Sequence, residues 1–201
     1  MKIDTGVEKE KGMATKAEKT REYILQASYP LFAKNGFKQV TMKDVCEATN
    51  LSRGGLYSHF PGTAELFQEL LKTVSVKDAM DFDREMEKGS SAAVILENAL
   101  TQMEEEMKRP QDSLSVAIYE YAETVDGSVL MQYNSDAVRR WSELIRYGMK
   151  RGEFREVDID EIVNMILFSY QGIRMWSRII QVKPETVRAI MSHIRKELIK
   201  R

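Results

Sequence analysis

Four side chains able to hydrogen-bond or pair with an anion stand together at Arg53, Tyr57, Ser58 and His59, and a Gly54-Gly55 pair lies among them. A guanidinium, a phenol, a hydroxyl and an imidazole beside a bare backbone suit close approach to a polyanion. Such groups position a phosphate backbone, and an arginine can read a guanine edge. Two blander readings compete. Gly-Gly marks many hairpin turns, but no alternation of apolar and polar residues flanks this pair. The stretch could also be an ordinary surface helix.

The elements that would position these groups run from Thr41 to Phe60, TMKDVCEATNLSRGGLYSHF. Thr41, with Asp44 three residues on, has capping-box spacing. Met42, Val45 and Cys46 share one helical face, which predicts a helix over Met42 to Thr49. Asn50 tolerates the left-handed conformation that ends a helix sharply. Leu51 plugs the corner and Ser52 is a second N-cap. Arg53 to Phe60 is the second helix, with Leu56 and Phe60 on its buried side. Each glycine in it costs about 1 kcal/mol relative to alanine.

With Thr41, Val45, Leu51, Ser52, Gly54, Leu56, Tyr57, Phe60, Glu65 and Leu66 at these spacings, the stretch resembles the helix-turn-helix of the TetR (tetracycline-repressor-type) family of transcriptional regulators. Ala27, Leu31, Phe32, Gly36 and Phe37 fit that family's first helix and its end. The match covers roughly residues 20 to 70. Three positions depart from the pattern: Asn50 for a common Gly, Gly55 for Thr or Ser, and Thr63 for Lys. The resemblance implies an all-α protein, with an N-terminal three-helix DNA-binding module and a larger helical body for ligand binding and dimerisation, about nine helices in total. It implies DNA contact by Thr41, Lys43, Ser52, Arg53, Gly54, Gly55, Tyr57, Ser58, His59 and Thr63. Tyr57, His59, Thr41 and Lys43 would be mainly on phosphates, and Arg53 and the glycine backbone nearest base edges. The implied function is a ligand-responsive regulator, a homodimeric repressor on a palindromic or pseudo-palindromic DNA operator. Its effector would be an apolar or amphipathic small molecule, and an acidic setting such as Glu104–Glu106 would favour a cation.

The whole chain sets bounds on these readings. A hydrophobic content of 43% with 30% charge is that of a soluble globular protein. The net charge is −1, but residues 1–63 carry ten Lys or Arg against seven Asp or Glu, and the rest carry twenty against twenty-four. A mildly basic head on an acidic body fits nucleic acid at one end. One cysteine, Cys46, excludes an intrachain disulfide and reads as a packing residue, with a redox sensor as the other reading. No apolar run reaches the roughly 20 residues of a membrane span, and no signal-peptide pattern opens the chain; the expected location is the cytoplasm. His59 and His193, the two histidines, lack metal-site spacing. No phosphate-cradling loop or nucleophile elbow occurs. We therefore expect no enzyme, cofactor or metal.

In chain order, residues 1–19 are polar and read as a disordered arm, 20–63 as the helix-turn-helix DNA-binding domain, and 64–201 as the ligand-binding and dimerisation domain. A first helix starts at Thr20, and Pro30 inside it is a site for a kink. A long helix capped by Thr63 runs to about Met86. Further helices cover Val94 to Met107, Leu114 to Val125 and Val129 to Lys150. The most apolar helix opens at Asp158 or Asp160, and the last carries Pro184 in its first turn. Methionines are frequent in the body, and methionine suits adaptable binding surfaces. Met80, Met103, Met107, Tyr119, Tyr133, Trp141, Met165 and Phe168 are the candidate ligand-binding residues. The last two helices are the candidate dimer interface, through Tyr170, Ile173, Arg174, Ile190, Ile194 and Leu198. The alternative is a helical small-molecule carrier or interaction module without a DNA-binding role.

Overall fold

In the computed structural model, residues 15–77 and 82–200 are described, with side chains for all of these but 74–77, and every regular element among them is helical. Helix α1 (Lys16–Asn35) starts before the expected Thr20. Thr15 and Glu18 close a capping box there: the Glu18 N–H donates to Thr15 Oγ1 and the Thr15 N–H to Glu18 Oε2. Residues 16–19 are thus helical rather than part of an arm; the rest of that arm, residues 1–14, lies outside the described residues. Pro30 does not end the helix; Gly36 does, at φ 78°, a conformation glycine adopts freely.

The turn motif follows as α2 (Met42–Thr49) and α3 (Arg53–Tyr57). Asn50 ends α2 in the left-handed region, at φ 56°. The second helix is shorter than expected: Ser58 is its C-cap, and Phe60 follows in a turn closed by its N–H to the Leu56 carbonyl. The expected long helix is seen as α4 (Thr63–Lys77) and α5 (Phe82–Glu87), with Thr63 in the first turn of α4 rather than before it. Residues 78–81 between them lie outside the described residues, Met80 included. Counted on either side of those residues, the described α-helices number ten, where about nine were expected. The others are α6 (Ala92–Met107), α7 (Ser115–Thr124), α8 (Ser128–Lys150), α9 (Ile159–Trp176) and α10 (Pro184–Leu198).

Two hydrophobic cores divide the chain. The head core takes Ile24 and Phe32 of α1, Val45 of α2, Leu56, Phe60 and the α4 residues Leu66, Phe67, Leu70 and Leu71. It also takes Leu114, at the start of α7, and Ala117 and Tyr121 from within that body helix. Cys46 is partly buried against it. The body core joins α6, α8, α9 and α10 through Leu96, Leu100, Leu144, Ile145, Ile166, Met191 and Ile194. Hydrogen bonds tie the two together: the Arg178 guanidinium donates to the Ala33 and Lys34 carbonyls at the end of α1, at 2.6 and 2.7 Å. The Lys38 N–H donates to Glu120 of α7 at 2.9 Å, and the Tyr29 hydroxyl to the Asp112 carbonyl at 2.9 Å.

Two residues at and just beyond the end of α8 carry testable consequences. A Cβ on Gly148 would fall 2.2 Å from the ring of Phe154, which is fully buried. Gly148→Ala should therefore cost about 1–3 kcal/mol in urea unfolding through overpacking. Nearby, Glu153 accepts from the Ser91 hydroxyl, Arg151 and the Ala93 N–H. Burial pushes its pKa up, but these donors outweigh burial and lower the carboxyl from 4.5 to about 2. Its folded pKa is depressed, so its contribution is present above about pH 4.5 and is lost as the pH falls through about 2. The stability gap between wild type and Glu153→Gln should narrow across that window; a gap constant with pH would rule this out.

Candidate nucleic-acid interface and body cavity

The turn motif is built by local hydrogen bonds, and these decide which side chains remain available. Thr41 accepts from the Asp44 N–H, while its own N–H and hydroxyl both donate to Asp44 Oδ2, at 2.8 and 2.6 Å. Those bonds hold the Asp44 carboxyl below its usual pKa. Ser52 accepts from the Gly55 N–H at 3.2 Å, and the Ser58 hydroxyl donates to the Gly55 carbonyl at 2.7 Å. The hydroxyl protons of Thr41 and Ser58 are thus engaged inside the motif. By contrast, Arg53 and Tyr57 are exposed, Tyr57 by 50%, and their side chains make no hydrogen bond among the described residues.

Thr41, Lys43, Arg53, Tyr57 and Thr63 line one open concavity of about 510 Å³, with Val40, Met42 and Gly62. Ser52, Gly54 and Ser58 are exposed on α3 and its ends, while Gly55 and His59 are half-buried. A Cβ on Gly54 would meet nothing within 4 Å. The backbone there is ordinary right-handed helix, so neither packing nor conformation requires a glycine. The fold leaves that position bare without needing it so.

A second cavity of about 670 Å³ lies in the body, between α4 and helices α5 to α9. Of the residues proposed for ligand binding, Met103, Tyr133 and Trp141 line it. Met107 and Met165 pack in or against the body core, because a methionine on an amphipathic helix is as useful inside as in a pocket. Tyr119 and Phe168 point away, 50% and 72% exposed, on the outer faces of α7 and α9. Tyr170 and Arg174, expected at a dimer interface, line the cavity within the protomer and are half-buried there. The Tyr170 hydroxyl donates to Glu106, and Arg174 donates to the Tyr170 hydroxyl at 2.7 Å and to Ser113 Oγ at 2.9 Å. Ser115 Oγ continues this chain to Gln171. Glu106, alone of the Glu104–Glu106 run in lining the cavity, is thus engaged by Tyr170. A charged residue among the apolar positions of α9 was the available signal for this network.

The remaining dimer candidates divide similarly. Ile173, Ile194 and Leu198 are buried inside the protomer, and Ile190 is half-buried. Their helical periodicity is satisfied by the protomer's own core. The large apolar side chains left exposed on and just after α9 are Phe168, Trp176, Ile179 and Ile180. Among the described residues no helix is long and apolar enough to cross a membrane, and no group of His, Cys, Asp and Glu could hold a metal ion.

Comparison with known proteins places this geometry. Residues 24–70 match the profile of the bacterial regulatory proteins of the tetR family. The HTH-type transcriptional regulator YfiR of Bacillus subtilis (strain 168) is 31% identical over 145 residues, 70% of each chain. The "probable acrEF/envCD operon repressor" of Escherichia coli (strain K12) is 38% identical over 58 residues, 28% of this chain and 26% of that one. A TetR-family transcriptional regulator from Agrobacterium tumefaciens shares the fold at a TM-score of 0.77, with 12% identity over 92% of this chain and 100% of the other. The family profile on the turn motif, the relative spanning most of the chain and the shared all-helical fold agree: this chain belongs to the TetR family, whose members are non-enzymatic, DNA-binding transcriptional regulators.

Proposed function

We propose that the protein is a homodimeric, cytoplasmic repressor that holds a palindromic or pseudo-palindromic operator and is released by an apolar or amphipathic small molecule in the body cavity. One observation carries the reading. Leu66, Phe67 and Leu70 of α4 pack in the head core, while Gln68, Leu71 and Lys72 of the same helix line the cavity. A single helix therefore touches both sites. In this reading residues 20–63 bind DNA, 64–201 bind the effector and the second copy, and α4 is the joint. The E. coli relative named as a repressor supports the direction of the effect, since its similarity lies in a segment of head length.

On DNA, Arg53 and the backbone at Gly54 would lie against base edges, with Lys43, Tyr57, His59 and Thr63 on phosphates, and with Thr41, whose donors are held by Asp44, joining Ser52, Gly55 and Ser58 in framing them. The bare space above Gly54 supports a close approach of this kind. The cavity is lined by Lys72, Arg140 and Arg174 as well as by Glu106, Asp126 and Asp136. This balance favours an uncharged or amphipathic effector over the cation that the acidic run alone suggested. For the second copy, the exposed Phe168 and Trp176 on α9 replace the buried Ile173, Ile194 and Leu198 as the apolar centre, and Ile190 remains at its edge. Two heads would then reach half-sites about 34–36 Å apart, or a multiple of that.

Two measurements test this. With a duplex selected from random-sequence DNA by the wild-type protein, Arg53→Ala should lose about 1–3 kcal/mol of affinity if Arg53 reads a guanine. Gly54→Ala should raise folding stability by up to about 1 kcal/mol yet weaken binding to the same duplex, because a methyl group would occupy the approach. Wild-type affinity in both variants would remove α3 from the DNA face. In sedimentation at micromolar concentration, the wild type should be a dimer and a Phe168→Glu, Trp176→Glu variant a folded monomer; a wild-type monomer would defeat the dimer reading.

A further inference from the structure

The exposed residues of α3 can read DNA only if something behind them fixes the helix. Five residues with two glycines are far too short to hold a helix alone. Leu56 and Phe60 anchor one side in the head core. Just past its C-terminal end, a side chain from another helix supplies a hydrogen bond. Arg21, in the second turn of α1, donates to the His59 carbonyl through Nη1. Its other edge, Nε and Nη2, forms a two-point pair with Glu69 of α4, with Nε at 3.1 Å from Oε1. Its flat face lies 4.3 Å from the centre of the Phe60 ring. One guanidinium thus joins α1, the end of α3 and α4, and uses both edges and one face to do so.

The geometry points to Arg21 as a positioning residue for the recognition helix, with Glu69 as its holder on α4. The inference rests on α3 being the DNA-facing helix and adds how that helix is aimed. Arg21 and Glu69 are each about a third exposed, with side-chain values of 35% and 38%. At that exposure an ion pair contributes little to global stability. Its planar, forked geometry instead fixes direction, which a lysine's single ammonium cannot reproduce. Contacting groups need such a supporting layer to keep their geometry. Glu69 also lies one residue from Gln68 and two from Leu71, both in the cavity wall, and the Leu71 carbonyl accepts from the Tyr133 hydroxyl at 2.9 Å. The aim of α3 is therefore set from the helix that the proposed effector would touch.

The rival explanation is that Arg21 contacts a phosphate directly, and the two differ in sign. Removing the Glu69 carboxylate deletes a negative charge near DNA, which by electrostatics alone tightens binding to any sequence. Arg21→Lys keeps the charge and any phosphate contact. The experiment measures the affinity of wild type, Arg21→Lys, Glu69→Ala and the double variant for the selected duplex and a scrambled one, across a salt series, with thermal unfolding as a control for folding. We expect Arg21→Lys and Glu69→Ala each to lower affinity for the selected duplex about tenfold. For the charge-conserving Arg21→Lys, scrambled-duplex binding and the salt slope should stay unchanged, and the double variant should bind the selected duplex no worse than either single. Glu69→Ala binding both duplexes more tightly, or both singles binding as wild type, would overturn the assignment. Arg53→Ala in the same series separates the two readings. If Arg53→Ala loses affinity while the clamp variants do not, the clamp alone is wrong; if it too binds as wild type, the DNA face is wrong and the clamp falls with it.

Discussion

Phe67 is the residue on which the two halves of the molecule meet. Its ring lies 4.7 Å from Phe32 of α1, 5.3 Å from Phe37 and 5.3 Å from Tyr121 of α7. Aromatic pairs at such separations gain beyond the area they bury, and their tilted geometry restricts how the rings can slide. The cluster places α4 between the turn motif and the body. The direction of α3, the wall of the body cavity and the seat of α1 on α7 all follow from that placement. A helix that packs in the head core and lines the body cavity cannot tilt for one without disturbing the other, because interiors this dense do not deform continuously.

Around that centre the head is fastened at several separate points. Arg178 caps the end of α1 by taking two of its last carbonyls, groups that every helix leaves without an intrahelical donor. Glu120 receives the Lys38 N–H, and its carboxylate also fills the space beside Gly36, where a Cβ would come within 2.5 Å of it. In the proposed mechanism these fastenings mean that the head can shift only by straining or carrying along its ties to the body. A shift from a 1:99 to a 99:1 population needs about 5.5 kcal/mol of differential affinity. Filling the cavity equally well in both states supplies none of it. Leverage exists only where the wall differs between states, and the α4 wall is a part of it that reaches the head.

How much of this was legible in the sequence depends on the range of the interactions. The turn motif was readable because its determinants are local: Thr41 with Asp44, Asn50 in the left-handed region and Ser52 with Gly55 act within three or four residues. Thr15 and Glu18 are equally local, but the charged run around them concealed the helix start. The dimer and cavity residues were harder. Periodicity says that Ile173 and Ile194 face something apolar, but not whether that surface belongs to the same chain; here the protomer's own core takes both. Phe168 carries the same apolar signal and is 72% exposed. Methionine content likewise could not separate Met103, in the cavity wall, from Met107 and Met165 in the packing. Arg21 gave no local signal, because its partners are 38 and 48 residues away.

The two glycines of α3 show why stability and function are separate constraints here. A helix designed only to fold would carry alanine at Gly54, where the structure offers open space and an ordinary backbone, and would gain about 1 kcal/mol. The chain forgoes that gain at a position where a methyl group would stand out from the surface. The loss is tolerable because α3 does not depend on its own propensity. Ser52 caps its start, Leu56 and Phe60 seat it, and Arg21 holds its end. A weak helix held from outside takes its direction from its neighbours. Direction, rather than local stability, is the quantity that a distant cavity can change.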